Sequence, residues 1–372
     1  MTELTSQSER DDLRESVRAF LAAKNDEAAL RRAIESDAGY DEQAWTQMAD
    51  QLGLQSLVVP EQYGGDGLGL VELGVVLEEM GRVLLPGPFF STVVLAGSAL
   101  AAAGGSAAEE LLPELATGAR RASLAVLEAD ARWKTDGFAT SARPDGSGWR
   151  LAGEKSVVAD GMAADVVVVA AQTDSGPALF AVTGDDGVSR QPLRTLDLTR
   201  RAARLTLTEA PAQLVAGPDQ ARAVLDTVLA RATTALAAEQ VGAARACLDL
   251  SVGYAKDRVQ FGRVIGSFQA VKHKCADMFT RVQLADAAAG DAARAVDGLD
   301  DHLSAATASA VAHAVCSEAA MFVAMENIQV HGGIGFTWEH PAHLYFRRAK
   351  ASQLMFGGPS VYFERVLASL GA

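Results

Sequence analysis

The spacing of apolar residues along this chain changes period twice, and the two changes divide it into three parts. From Thr5 to about Gly104 the spacing is helical: Leu13, Val17, Phe20 and Leu21 fall on one face, and Trp45, Met48 and Leu52 on another. The pattern breaks at Val58-Val59-Pro60-Glu61-Gln62-Tyr63-Gly64-Gly65-Asp66-Gly67-Leu68-Gly69, where a proline and several glycines force an irregular loop, and resumes through Val71, Leu73, Val76, Leu77 and Met80. From about Ala122 to Leu214 it gives way to short Val- and Leu-rich runs: Ser123 to Leu127, Trp149 to Leu151, Val166 to Ala170 and Leu179 to Val182. Between them stand Pro-Asp-Gly-Ser-Gly and Thr-Gly-Asp-Asp-Gly turns, the first flanked by alternation on both sides and so expected to be a hairpin. From Asp219 helical spacing returns, with Val241, Ala244, Leu248, Val252 and Ala255 as one stripe. Further helices are expected over Ser267 to Asp297 and Asp301 to His331, and a last one from Ser360 as N-cap, with Glu364 behind it. The reading is an α+β fold: an N-terminal helical domain over 1–119, a β-barrel or sandwich domain over 120–217, and a C-terminal four-helix bundle over 218–372 with Ala-rich faces.

The 372 residues are 49% apolar and 22% charged, enough for a sizeable core. A formal net charge of −14 argues against a nucleic-acid or anionic-membrane partner, since both attract basic surfaces. The first residues, Met1 to Arg18, are polar, and no apolar run reads as long enough to span a bilayer, so a cytoplasmic protein is expected. Cys247, Cys275 and Cys316 are far apart within helical patterns and read as reduced thiols. No metal site is expected, because His331, His340 and His343 lack the company and register of zinc ligands.

The most specific stretch is Arg258-Val259-Gln260-Phe261-Gly262-Arg263-Val264-Ile265-Gly266-Ser267-Phe268-Gln269. It lies between two long helical runs and reads as a Gly-broken corner from which Arg258, Gln260, Phe261 and Gln269 project. A guanidinium beside an amide and an aromatic ring suits a phosphate-bearing, ring-containing partner. A plain helical corner with a buried Phe and a solvated Arg is the alternative.

Three segments in order carry a resemblance. They are Val59-Pro60-Glu61-Gln62-Tyr63-Gly64-Gly65, the Arg258 to Gln269 stretch, and Gln329-Val330-His331-Gly332-Gly333-Ile334-Gly335-Phe336 followed by Arg347-Arg348-Ala349-Lys350. With the helical, β, helical order, the chain resembles the acyl-CoA dehydrogenase family over essentially its whole length. That resemblance implies an FAD enzyme that removes a proton and a hydride from neighbouring carbons of an acyl-CoA substrate. It also implies a 2-enoyl-CoA product, an electron-transfer flavoprotein as acceptor, and a flavin lying between subunits.

The neighbour-facing half of the family's cofactor site is matched by Arg258, Phe261, Gln269, Gln329, Gly332 and Gly333, with Gln260 beside them. The own-subunit half departs from the pattern. Leu127-Glu128-Ala129-Asp130-Ala131-Arg132-Trp133 stands where the family has Thr-Glu-Pro and Gly-Ser-Asp, and Val157-Val158-Ala159-Asp160 replaces Trp-Ile-Thr-Asn behind a matching Gly153-Glu154-Lys155. Gly357 is read at the place of the catalytic glutamate, and the alternative place for that base falls near Ala232. Glu239, on a face with Gly242, Ala243 and Ala246, is a candidate relocated base or a salt-bridged structural residue; Glu128 and Asp160 are expected to be structural.

Loss confined to one half of a shared site points to divided labour. The chain is therefore expected to be the non-catalytic partner in an α2β2 acyl-CoA dehydrogenase acting on a steroid side-chain thioester, its homologous partner carrying the glutamate. A self-sufficient homotetramer using Glu239 and a non-enzymatic acyl-CoA dehydrogenase-like scaffold are the alternatives.

Overall fold

The computed structural model describes residues 5–146, 148–300, 302–369 and 371. The first part holds α1 (Gln7–Lys24), α2 (Glu27–Glu35), α3 (Glu42–Leu52), α4 (Leu70–Arg82), α5 (Gly97–Ala103) and α6 (Gly105–Ala116). Local chemistry marks the starts of the first three. Ser6 and Glu9 form a capping box on α1, and the Asp26 and Asp41 carboxylates accept from first-turn amides of α2 and α3. Residues Phe90–Ala96, all buried, form a π-helical segment running into α5. The Val58 to Gly69 stretch is irregular apart from one 3-10 turn, Glu61–Tyr63.

The second part comprises β1 (Ala122–Ala125), β2 (Ser141–Asp145), β3 (Gly148–Ala159), β4 (Val166–Thr173), β5 (Gly176–Thr183), β6 (Val188–Pro192) and β7 (Ala202–Ala216). Pairing runs β4, β2, β3, β7, β5 and returns to β4, which closes a barrel; β1 adds to β4 in parallel, and β6 adds to β7. Asp145 pairs with Gly148 across the β2/β3 hairpin, whose Ser147 lies outside the described residues. Alternation sorts β4: Val167, Val169 and Ala171 join Leu151, Phe180 and Leu205 inside the barrel, while Val166, Val168 and Ala170 pack on the N-terminal helices. Burial on both faces is why this strand is a continuous apolar run.

The third part is α7 (Ala221–Asp257), a ribbon of β8 (Val259–Gln260) and β9 (Arg263–Val264), then α8 (Gln269–Val296), α9 (Ala305–His331), α10 (Ala342–Leu354) and α11 (Pro359–Ser369). Four details differ from expectation. Helix α9 begins behind Ser304, which caps it, and Asp301 lies outside the described residues. Helix α11 begins at Pro359, a residue suited to the first helical position, so Ser360 lies inside the first turn. Leu248 and Val252 are only half-buried, so the α7 stripe is narrower than its spacing implied. Finally, Ala305–Phe336 is long and apolar enough to cross a membrane by composition, yet 67% of its most apolar window is buried within the molecule.

Helices α4 and α7 meet through glycines. A Cβ on Gly81 would lie 2.0 Å from the Glu239 carbonyl oxygen, and one on Gly242 would lie 1.8 Å from that of Glu78. Only bare backbone allows this approach.

Candidate functional site

The sequence-derived residues fall into two places. At the first, the expected helical corner is instead a two-residue β-hairpin. Val259 pairs with Val264 and Gln260 with Arg263, leaving Phe261 and Gly262 at the tip with φ of 53° and 77°. Both values are positive, as a type I′ turn requires. Glycine adopts this conformation freely, but for phenylalanine it costs about 1–2 kcal/mol. The Phe261 ring is also 91% exposed, touching Phe268 only edge-on with centroids 6.2 Å apart. The structure therefore corrects the picture of a Phe buried in a plain corner: a strained aromatic ring stands in solvent.

The Gln329 segment lies at the same end of the bundle. Ser251 Oγ donates to Asn327 Oδ1 at 2.9 Å, the Tyr254 and His331 rings are 4.4 Å apart, and Lys274 pairs with Glu326. These contacts tie the C-terminus of α7 and the N-terminus of α8 to the C-terminus of α9. Arg258, Gln260, Phe261, Gln269, Gln329, Gly332 and Gly333 are consequently all exposed at one end of the molecule. Gly332 has φ of 65°, which by itself explains glycine. Gly333 does not adopt a positive φ, and a Cβ there would meet nothing within 4 Å. Nothing within this chain requires glycine at 333; a group approaching from outside would. This end therefore fits a diphosphate-bearing cofactor held against bare backbone beside a guanidinium.

The second place is a cavity of about 290 Å³ between the barrel and the loop joining α10 to α11. Leu127, Trp133, Val157, Ala159, Arg200 and Phe356 are among its walls. It brings together the own-subunit positions read from the sequence, and Leu127, Val157 and Ala159 present no side-chain hydrogen-bonding group. Phe356, rather than Gly357, is the loop residue facing the cavity. Its ring meets Trp133 edge-on at 5.5 Å and stacks with Phe90 at 6.4 Å. Tyr362 donates its hydroxyl to the Phe356 carbonyl at 2.9 Å, and His313 Nε2 lies 3.1 Å from the Gly357 carbonyl. Burial pushes the His313 imidazole down to about 4, so it is neutral and able to donate there. An aromatic cluster occupies this half, and at Leu127, Val157 and Ala159 its walls offer a flavin no side-chain hydrogen bond.

Of the carboxylates nearby, Glu239, Asp197 and Glu128 are already ion-paired. Glu239 lies 2.5 Å from Arg200 Nη2 and 2.7 Å from Arg348 Nη1, and Arg348 also pairs with Asp197 at 2.9 Å. Burial works to raise the Glu239 carboxyl, but Arg200 and Arg348 outweigh it and hold it below the usual range. A base needs the opposite shift. The small-residue face considered for ligand approach is occupied by α4, whose Glu78 and Gly81 pack on Gly242 and the Glu239 backbone. Both observations weigh against the relocated-base reading of Glu239. Glu128 accepts from Lys155, Lys134 and the Ala139 and Thr140 amides; burial opposes ionisation, but these donors keep its carboxyl well below the ordinary range. Burial raises Asp160 to about 6, and Ser91 donates to it at 2.8 Å. Arg200 was not anticipated, and no periodic signal marks it; Arg348 stood in a quoted segment without a role.

Comparison with known proteins places the chain in a family. Residues 7–119 match the family description "Acyl-CoA dehydrogenase, N-terminal domain", and residues 221–370 match "Acyl-CoA dehydrogenase, C-terminal domain". The chain is 39% identical over 363 residues to acyl-CoA dehydrogenase IpdE2 of Mycobacterium tuberculosis, covering 98% of each. Two solved structures are similar. One is a variant of the Tcur3481-Tcur3483 steroid ACAD, at 34% identity and a TM-score of 0.87, covering 98% of both chains. The other is the ChsE4-ChsE5 complex from Mycobacterium tuberculosis, at 32% identity and a TM-score of 0.88, covering 100% of this chain and 99% of that one.

Proposed function

The chain belongs to the acyl-CoA dehydrogenase family, FAD-dependent oxidoreductases acting on acyl-CoA, and from that premise we propose that it is the cofactor-sharing, non-catalytic partner in an α2β2 enzyme. The observation that carries the reading is the inequality of the two halves. Phe261 is strained and 91% exposed on an open surface beside Gly332 and Gly333, whereas the chain's own cavity holds Phe356 and Trp133 with no free carboxylate among the described residues. A strained residue persists where surrounding structure holds it, and here that structure lies outside the chain.

When bound, FAD supplies the hydride acceptor of the family's reaction. This chain's part is positional. Arg258 and the backbone at Gly332 and Gly333 would hold the diphosphate, Gln269 and Gln329 would offer amides, and Phe261 would cover an aromatic face and exclude water. The base belongs to a homologous partner, with an electron-transfer flavoprotein as acceptor and the cytoplasm as location. A steroid side-chain CoA thioester as substrate is supported by the similarity to a steroid ACAD and by two relatives solved as pairs. The ion pairs of Glu239 weigh against a self-sufficient homotetramer, and Gly333 weighs against a scaffold with no cofactor.

Expression of the chain alone and with a homologous chain that carries the glutamate tests this. Flavin absorbance and dehydrogenation are expected only in the co-expressed complex. Stoichiometric FAD with turnover by the chain alone overturns the proposal.

A further inference from the structure

The cavity beside Phe356 keeps about 290 Å³ of space after its aromatic cluster is packed, and most of its surface is apolar, from Leu127, Val157, Leu196, Leu354, Met355 and Phe356 among others. Val157, Leu196 and Leu354 are exposed, so the hollow opens to solvent through large apolar side chains. Apolar groups converging on one open hollow of this size are the usual make-up of a small-molecule site. The charged groups around it satisfy one another. Arg200 pairs with Glu239 and lies over the Phe90 ring, Asp197 pairs with Arg348, and Arg201 gives its guanidinium to the Ile34, Ser36 and Asp37 carbonyls. A charged ligand would give up its hydration here without meeting an unpaired counter-ion among them. One polar group is left over. Trp133 is a wall of the cavity, and its indole Nε1 is buried with no hydrogen-bond acceptor among the described residues. A buried donor without an acceptor carries the cost of its lost hydration, which an acceptor on a ligand would relieve.

We propose that this cavity binds a compact, uncharged aromatic molecule with a single hydrogen-bond acceptor, its ring among Leu127, Val157 and Phe356 and its acceptor on Trp133 Nε1. Aromatic walls favour a flat ring over a flexible chain, because ring pairs gain from edge-to-face and offset contact beyond the area they bury. The inference rests on the partner reading, in which this half carries no flavin of its own.

Equilibrium dialysis of the co-expressed complex against 2-acetylnaphthalene, 2-ethylnaphthalene and 2-naphthoate tests it, because the three share one ring and differ in acceptor and charge. Each copy of this chain is expected to take up one 2-acetylnaphthalene, and 2-naphthoate to bind at least tenfold more weakly. Trp133→Phe is expected to weaken 2-acetylnaphthalene by about fivefold while leaving 2-ethylnaphthalene unchanged, as loss of one hydrogen bond implies. Val157→Trp, a change at an exposed position that fills the mouth, is expected to abolish this uptake and guards against misfolding of the Trp133 variant. Uptake insensitive to Val157→Trp, equal effects of Trp133→Phe on the two neutral probes, or 2-naphthoate binding as tightly as 2-acetylnaphthalene overturns the proposal. Flavin absorbance of the same samples separates the two readings: one FAD per pair of chains upholds the partner reading whatever the probes do, and two per pair overturns both.

Discussion

Replacing Glu239 by Gln separates a structural anion from a catalytic base. The substitution keeps the shape of the side chain and removes the charge lying 2.5 Å from Arg200 and 2.7 Å from Arg348. Arg348 retains Asp197 at 2.9 Å and the Thr199 hydroxyl at 2.9 Å. Arg200 keeps only the Met355 sulfur at 3.6 Å and the Phe90 ring at 4.7 Å, so one buried cation loses its partner. Breaking a buried pair costs about 3–5 kcal/mol, and the contacts left to both arginines place this one near about 3. An unfolding entropy of about 2.1 cal/mol/K per residue over 372 residues converts that to a fall in Tm of about 4 °C. The pH dependence has a definite sign. Glu239 ionises more readily folded than unfolded, so its stabilisation is complete above the ordinary carboxylate pKa and is lost as pH falls through the lower folded value. Differential scanning calorimetry from about pH 8 down to about pH 2 should show a gap between wild type and E239Q that stays constant above the ordinary carboxylate range and closes only as the pH falls below it. Turnover of the co-expressed complex, measured per folded molecule, should stay within about twofold, as expected of a group that does not handle the substrate proton. Abolished turnover with an unchanged Tm would refute the reasoning and restore Glu239 as base.

Phe261→Gly relieves a strained φ of 53° and should stabilise the isolated chain by about 1 kcal/mol in urea unfolding while weakening flavin retention in the complex; a variant that loses both was held by contacts within its own chain. Gly242→Ala places a Cβ 1.8 Å from the Glu78 carbonyl and should cost about 3 kcal/mol by forcing α4 from α7, read from the denaturation midpoint. Lys155→Met leaves Glu128 with Lys134 and two amides, and should cost about 3 kcal/mol near neutral pH. Burial holds Lys155 down to about 8 against an ordinary 10.5, so in that window the unfolded chain binds more protons, and wild-type stability should rise with pH relative to Lys155→Met.

Periodicity was a sound guide wherever one element decides its own burial. The Val166 to Ala170 run was legible as a strand because both its faces are covered, which makes it apolar throughout. Barrel closure was not, because it depends on pairings between remote strands, such as Leu179 with Ala216 and Ser141 with Gln172. The ribbon at Phe261 was hidden because two paired residues per strand are too few to show a period of two. In the site, the losses at Leu127, Val157 and Ala159 were visible residue by residue. What occupies the space was not, since Phe90, Trp133, Arg200 and Phe356 come from four separate segments. Helical spacing placed Glu239 correctly with Gly242, Ala243 and Ala246. Whether that small face meets a ligand or another helix is decided by Gly81, on an element far away in the sequence.

The ribbon between α7 and α8 also sets terms for how such a chain is made. Phe261 at 91% exposure, with Phe336 at 77% and Trp338 at 57%, gives a newly folded copy adhesive aromatic groups before any companion arrives. Surfaces of that kind favour unwanted association in proportion to concentration. If the chain works with a companion as proposed, an excess of it should precipitate or be degraded, and balanced synthesis of the two becomes a requirement imposed by three exposed aromatic side chains at one end of the molecule.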